Sequence, residues 1–290
     1  MPPFTEAFVF HKLKISYRKD GNSDMKKCLS IAGSDCSGGA GIQADLKSFS
    51  ANRTYGMSVI TSVVAENTSR VISVYNVPTD EIKKQIDAVF EDVQVDGVKL
   101  GMLPTAEIIS AVSDKLVSYK PPFIVCDPVM VATSGDALSE NGTVTVMKEK
   151  LFPITDLLTP NIPEAEAISG IKINTVEDME KAADLIMKMG VKNVLVKGGH
   201  LTDSADDVLF TQTEKHLITG EKIDSPNTHG TGCTLSSAIT ANLANGMSMF
   251  EAVKAAKEYI TNAIKMSFIV GKGHSPVNHF YDYYNMKGNI

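Results

Sequence analysis

The sequence predicts an α/β protein with a mostly parallel central sheet covered by helices on both faces. Two observations carry this expectation. Strand-like and helical patterns alternate along the chain, and the strand-like runs are apolar at consecutive positions rather than at every second one. A strand buried on both faces needs apolar residues all along it, whereas a half-exposed strand alternates.

The elements follow in order. Lys27–Ile31 is a short apolar run that stops at Gly33, a first buried strand. A Gly-rich loop leads into a helical pattern over about 40–53. Residues 57–64 (MSVITSVV) are β-branched and form the second strand. A short strand near 71–77, a helix over 79–92 and a strand end at 97–101 come next. A helix opens at Pro104 or Thr105. The run FIVCD, 123–127, is a continuous apolar strand ending on an acid. A helix over roughly 139–151 precedes a short strand, 157–159, the turn Pro160–Asn161 and a short helix to Ser169. Thr175 caps a helix with acids in its first turn, closed by Gly190. A strand at 191–196, a hairpin of 208–211 with 216–223, and helices at 234–245 and 248–269 complete the chain.

Composition narrows the function classes. The 290 residues are 43% apolar and 21% charged, with a net charge of −6. These fractions exclude a disordered, collagen-like or disulfide-scaffold chain. The acidic balance argues against a nucleic-acid surface. No run of about 18 apolar residues marks a membrane span. Cys28, Cys36, Cys126 and Cys233 form no C-x-x-C pair and no zinc spacing with the histidines, so reduced thiols and a cytoplasmic location are expected. His11, His216, His274 and His279 are expected at the surface or in the core. Residues 1–24 differ from the rest and precede a second methionine, Met25. A leader or misassigned start is expected there, with one domain over 25–290. A homodimer is the base-rate expectation for the assembly.

Ligands of such sheets bind at the carboxyl ends of the strands, and the chemically interesting segments fall there. T-H-G-T-G-C-T, Thr228–Thr234, opens a helix. Small residues admit a ligand close to the backbone, and free N–H groups with the positive end of the helix dipole make an anion site. Cys233 sits in it, where the dipole is expected to lower its thiol pKa. A glycine loop with a buried, inert cysteine is the plainer alternative. The segment 33–45, GSDCSGGAGIQAD, contains G-A-G-I-Q-A, a match to the dinucleotide fingerprint. Here, however, Gly33 to Gly38 separate the strand from the fingerprint's first glycine. The loop could instead hold a polar small molecule, with Gln43 and Asp45, or be purely structural.

Asp127 ends the most apolar strand. Asn161 and Glu164, three apart on a turn, can face one way and hold a hydrated Mg²⁺, or can be a helix cap and a surface acid. Lys197 ends a strand before two glycines, placed to meet phosphate or to lie solvated. No G-x-x-x-x-G-K-[ST] run is present, which argues against a P-loop kinase.

Taken together, I-A-G-S-D-C-S-G-G-A-G-I-Q-A-D-L-K, G-M-L-P, D-P-V-M, T-P-N-x-x-E-A, V-K-G-G-H and T-H-G-T-G-C-T resemble the ribokinase-like superfamily, within it the hydroxymethylpyrimidine/phosphomethylpyrimidine kinases of thiamine biosynthesis and the related bacterial pyridoxal kinases. The motifs run in family order over about 27–280. The resemblance implies a three-layer α/β/α fold, ATP as phosphoryl donor, Mg²⁺, and phosphorylation of a hydroxymethyl group on a flat heterocycle. It places Cys233 at the catalytic-base position in an anion hole of Gly230, Thr231, Gly232 and Cys233. Lys197, Thr228 and Asn161 would lie at ATP, and Glu164 and Asp127 at the metal. Gly33, Asp45, Glu66, Met102 and Val129 would line the pyrimidine pocket.

One residue departs from the pattern. Related pyrimidine kinases commonly have A-Q-N-T, where this chain has A-E-N-T with Glu66. Gln donates and accepts, whereas ionised Glu only accepts. Glu66 would favour an amine-bearing, ring-protonated substrate. A kinase of pyridoxal, pyridoxine or pyridoxamine is the alternative within the same chemistry. An NAD-dependent dehydrogenase and a non-catalytic nucleotide or vitamin sensor are the alternatives outside it.

Overall fold

In the computed structural model the described residues are 25–130, 142–199 and 205–285. The expectation for residues 1–24 falls outside them, as do the first residues of the helix expected over 139–151.

A nine-stranded sheet organises the chain. Its strands are β1 (Lys27–Asp35), β2 (Tyr55–Asn67), β3 (Arg70–Asn76), β4 (Gly97–Leu100), β5 (Ile124–Cys126), β6 (Leu157–Leu158), β7 (Asn193–Val196), β8 (Asp207–Phe210) and β9 (Lys215–Ile218). They lie in the order β3-β2-β1-β4-β5-β6-β7-β8-β9. The six strands from β2 to β7 in that order are parallel neighbours. Antiparallel β3 closes one edge and the β8–β9 hairpin the other.

Helices cover both faces, as the continuous apolar runs demand. Adjacent residues of one strand enter opposite cores: Leu157, Leu195 and Val125 face one, and Leu158, Val194 and Cys126 face the other. Side chains alternate across a strand, so both positions must be apolar when both faces are buried. On the first face lie α7 (Thr231–Ala244) and α8 (Met249–Lys265), through Leu235, Ala238, Ile239 and Val253. There α1 (Gly41–Ala51) also packs on α7, Phe49 meeting Ala241 and Ala244. On the second face are α2 (Thr79–Phe90), α3 (Ala106–Tyr119), α5 (Ile162–Ser169) and α6 (Val176–Met187).

Local signals set several boundaries. Thr105 and Thr175 cap α3 and α6, each accepting from the amide three residues on. Ser248 and Glu251 form a capping box at α8. The helix expected over 139–151 is a short turn, α4 (Thr143–Val146), running into a π-helical turn, Met147–Leu151. The first strand outruns its expected stop. After a bulge between Ala32 and Ser34 it resumes pairing, Ser34 with Val63 and Asp35 with Val64. The expected second arm of the hairpin, 216–223, ends at Ile218, and α8 ends at Lys265 rather than 269. A short helix, α9 (Tyr281–Asn285), has no counterpart in the expectations. No helix among the described residues is long and apolar enough to cross a membrane.

The connection from β1 through α1 runs to β2 on one side, and the chain then returns past β1 to β4 on the other. The carboxyl ends of β1 and β4 therefore flank a topological switch point, where the loops part and a crevice opens.

Candidate active site

A cleft of about 780 Å³ lies at that point. Gly33, Asp35, Glu66, Met102 and Val129 line it at the ends of β1, β2, β4 and β5. Lys222, Ile223, Lys257, Ile260 and Ile264 line it near β9 and α8. The sheet order separates these two arms. Asp127, Asn161, Lys197 and the loop entering α7 stand between them.

The loop entering α7 is the structural centre. Gly230 caps the helix at φ 77°, a conformation that favours glycine. A Cβ there would fall 1.8 Å from the Gly39 carbonyl oxygen, so two glycine-rich loops meet backbone to backbone. His229 ties them together, its Nε2 lying 2.9 Å from Asp35 Oδ2. Thr228 closes the turn by accepting from the Thr231 amide. A Cβ on Gly232 would lie 3.0 Å from Asp127 Oδ2 and 3.3 Å from Lys197 Nζ. The first turn of α7 thus presents its amides to the cleft directly beside that ion pair.

Lys197 is partly buried and pairs with buried Asp127, Nζ to Oδ1 at 2.7 Å. Burial opposes the Lys197 charge, but Asp127 and Glu164 outweigh it and raise its pKa. Asp127 Oδ1 also accepts from Thr159 Oγ1 at 3.2 Å. The alternative of a solvated lysine is therefore overturned. Asn161 does cap α5, in a full capping box: its side chain accepts from the Glu164 amide, and Glu164 Oε2 accepts from the Asn161 amide at 2.8 Å. Glu164, however, is no surface acid. It is buried and lines the cleft, and burial raises its pKa against the pull of Lys197. A buried carboxylate with an incomplete counter-charge fits a hard cation bound through oxygen.

Two expectations need correction. Asp45 does not line the pyrimidine arm. It is fully buried beneath the cleft, accepting from Ser30 at 2.6 Å and Ser237 at 2.7 Å and paired with Lys99 at 2.9 Å. A position on the inner face of α1 turns it toward α7 and β4. Nor is the Cys233 thiol lowered by the helix dipole. Burial pushes it up to about 11, Lys99 pulling it down while Asp45 and Asp127 oppose that pull.

The G-A-G-I-Q-A run does not work as a dinucleotide loop either. Asp35 takes up the amides before α1: Ser37 on Oδ1, Gly39 and Ala40 on Oδ2, and Gly38 on its carbonyl. These four amides are thus committed within the protein rather than offered to a pyrophosphate, which argues against the dehydrogenase alternative.

Gln43 is likewise turned to the protein, accepting from the Asp35 amide and donating to Ser34 Oγ, and every other expected site residue lines the cleft. Asp35 and His229 lie inside the quoted motifs but carry no spacing that marks them as site residues. Their signal is visible only in hindsight as a lone acid and a lone histidine flanking the glycines that meet. Lys99 was missed as well, a charge inside the apolar run GVKL.

Comparison with known proteins agrees with this geometry. The family described as phosphomethylpyrimidine kinase matches residues 35–278. A hydroxymethylpyrimidine/phosphomethylpyrimidine kinase of Haemophilus influenzae is 43% identical over 89% of this chain and 98% of its own. A bifunctional thiamine biosynthesis protein of Geobacter sulfurreducens is 49% identical over 87% of this chain, which spans about half (51%) of that longer relative. Among solved structures, an ADP complex of Bacillus subtilis pyridoxal kinase superposes with a TM-score of 0.83 at 39% identity, covering 91% of this chain and 100% of that one. A phosphomethylpyrimidine kinase of Clostridium difficile gives 0.74 at 47% identity, covering 82% and 99%. The matched residues contain both glycine loops, the Asp127–Lys197 pair and Glu164. The chain belongs to the phosphomethylpyrimidine kinase family, with the ribokinase-like α/β/α fold.

Proposed function

We propose that this chain transfers the γ-phosphoryl group of ATP to the hydroxymethyl oxygen of 4-amino-5-hydroxymethyl-2-methylpyrimidine, and then a second one to the resulting monophosphate, in thiamine diphosphate biosynthesis. The observation that carries the proposal is the α7 loop lodged between the two arms of one cleft, with the Asp127–Lys197 pair against Gly232. The arm near β9 and α8, with Lys222 and Lys257, suits the nucleotide. The arm near β1 and β2 suits a flat ring between Met102, Val129 and Val64.

In the transfer, the alcohol oxygen forms a bond to phosphorus as the bond to the ADP oxygen breaks. Catalysis of such a step is mostly positioning and charge stabilisation. The amides of Gly232 and Cys233, in the first turn of α7, face the transferring group, and each preorganised donor of this kind is worth on the order of 3 kcal/mol of barrier. Lys197 steadies the phosphate charge, with Thr228 and Asn161 at the nucleotide. Glu164, with Asp127, would hold Mg²⁺, which supplies neutralisation of phosphate charge when bound. Cys233 receives the alcohol proton late, and only in its minor thiolate form, which becomes the thiol. A thiol pushed up to about 11 is mostly protonated at neutral pH, so proton removal is not the main source of rate. Exposed Ile72, Val74 and Tyr75 on β3 fit an apolar contact in a homodimer.

A second reading, a vitamin B6 kinase, is favoured by the pyridoxal kinase superposition and needs no change in the transfer step. Steady-state ATP consumption with Mg²⁺ on hydroxymethylpyrimidine and on pyridoxal separates the two. A higher kcat/KM on the pyrimidine is expected, and a preference for pyridoxal would move the chain to the second reading.

A further inference from the structure

Glu66 occupies an unusual place in the pyrimidine arm. It stands at the end of β2, just past a shift in the pairing with β3 between Ala65 and Glu66, and it lines the cleft two residues after Val64. Its backbone is pinned by Cys36, whose Sγ donates to the Glu66 carbonyl at 3.1 Å and accepts from its amide at 3.4 Å. Its carboxyl group shares a space within 4.8 Å with Asp35 and His229, both buried. The titratable groups facing it are Asp35 from β1, Cys36 from the following loop and His229 from the loop entering α7.

Asp35 is committed as an anion. It accepts from Ser37, Gly39, Ala40 and His229. Burial resists its ionisation, and these bonds overcome that and hold it well below the usual carboxylate range. An ionised carboxylate only accepts, so His229 is the donor in their contact and is held in that orientation. Three protein donors on Asp35 Oδ2 and one on Oδ1 already balance its charge, which argues against a cation between these groups. Beside this fixed negative charge, a second carboxylate is disfavoured.

We propose that Glu66 reads its substrate through one shared proton, so that the pocket binds an aminopyrimidine only with a proton between the Glu66 carboxyl group and the ring nitrogen next to the amine. The inference rests on the pyrimidine reading given above and deepens it. The neutral acid donates its O–H to that ring nitrogen while its carbonyl oxygen accepts from the amine. The carboxylate with a ring-protonated pyrimidine has the same atoms and the same single proton. With no proton, an oxygen lone pair meets a nitrogen lone pair and the two-point contact is lost. A glutamine at this place makes both hydrogen bonds without any added proton. Burial and the Asp35 charge push the Glu66 carboxyl up to about 7, so the proton is available near neutral pH and becomes scarce above it.

The test is calorimetric binding of 4-amino-5-hydroxymethyl-2-methylpyrimidine, without ATP, to the parent protein and to Glu66→Gln between pH 6.5 and 8.5. Each pH is measured in two buffers of different ionisation enthalpy. For the parent, the dissociation constant is expected to rise on the order of tenfold from pH 7 to 8.5, with uptake of close to one proton at the upper end. Glu66→Gln is expected to bind with a dissociation constant that changes by less than about twofold and to take up close to none. Affinity of the parent that is level across this range, or an equal slope in Glu66→Gln, overturns the proposal while leaving the pyrimidine reading standing. Absence of pyrimidine binding at every pH overturns both. Should Glu66→Gln fail to fold, the proton uptake of the parent alone decides.

Discussion

Replacing Asp45 by alanine is expected to unfold the protein more readily without altering how it recognises its substrate. Asp45 is fully buried and accepts from Ser30 and Ser237 while pairing with Lys99, itself fully buried. It thereby joins β1, β4 and α7 under the cleft. Asp45→Ala leaves an ammonium in the core without its counter-charge. Breaking a buried pair from one side costs about 3–5 kcal/mol. For a chain of this size each kcal/mol lowers the melting temperature by about 2 °C, so a fall of roughly 6–10 °C is expected. The double variant Asp45→Leu with Lys99→Met removes both charges and is expected to recover most of the loss, because two apolar side chains of similar volume need no partner. Thermal unfolding followed by circular dichroism, with steady-state kinetics on the folded variant, measures both effects. If Asp45→Ala melts within about 2 °C of the parent but raises the KM for the pyrimidine, the reasoning fails and Asp45 returns to the substrate pocket.

Three further outcomes are expected. Cys233→Ala should lower kcat with little change in either KM, by no more than the roughly 10²–10⁴-fold typical of proton transfer; near-normal turnover would remove Cys233 from the base position. Lys197→Ala, which leaves buried Asp127 without its ion pair, should chiefly raise the KM for ATP, and unchanged ATP kinetics would refute its place at the phosphates. Burial pushes His279 down to about 3, so an unfolded chain takes up a proton there that the folded chain refuses. Its contribution is therefore intact above the ordinary histidine pKa and is lost as pH falls below it, at up to about 1.4 kcal/mol per unit. Urea unfolding of His279→Gln should show a shallower loss of stability from pH 6 to 5 than the parent, and equal slopes would contradict this.

The layered architecture is legible in the sequence because its cause is local. Consecutive apolar residues such as VLV before Lys197 and IVC before Asp127 can satisfy only a strand buried on both faces. The caps at Thr175 and Asn161 are legible for the same reason, since each cap and its partner amide lie three residues apart. What is not legible depends on residues far apart in the chain. Asp35 and His229 are 194 positions apart and meet only because Gly230 lets its loop touch Gly39. The direction of Asp45 depends on which face of α1 meets α7, and a loop motif does not state that. The Cys233 thiol shows the same limit: a helix N-terminus is visible in the sequence, but the burial that overrides its dipole is not. Glu66 stands between these cases. Its departure from glutamine is plain in A-E-N-T, while the burial and the Asp35 carboxylate that push its pKa up exist only in the folded chain.

The central claim is that one cleft phosphorylates a pyrimidine alcohol and then its monophosphate. Phosphorus NMR of a reaction containing the protein, ATP, Mg²⁺ and hydroxymethylpyrimidine tests it most directly. A monophosphate ester resonance that gives way to the paired resonances of a pyrimidine diphosphate as ADP accumulates is expected. Release of inorganic phosphate with no ester, or no change in the ATP resonances, would contradict it.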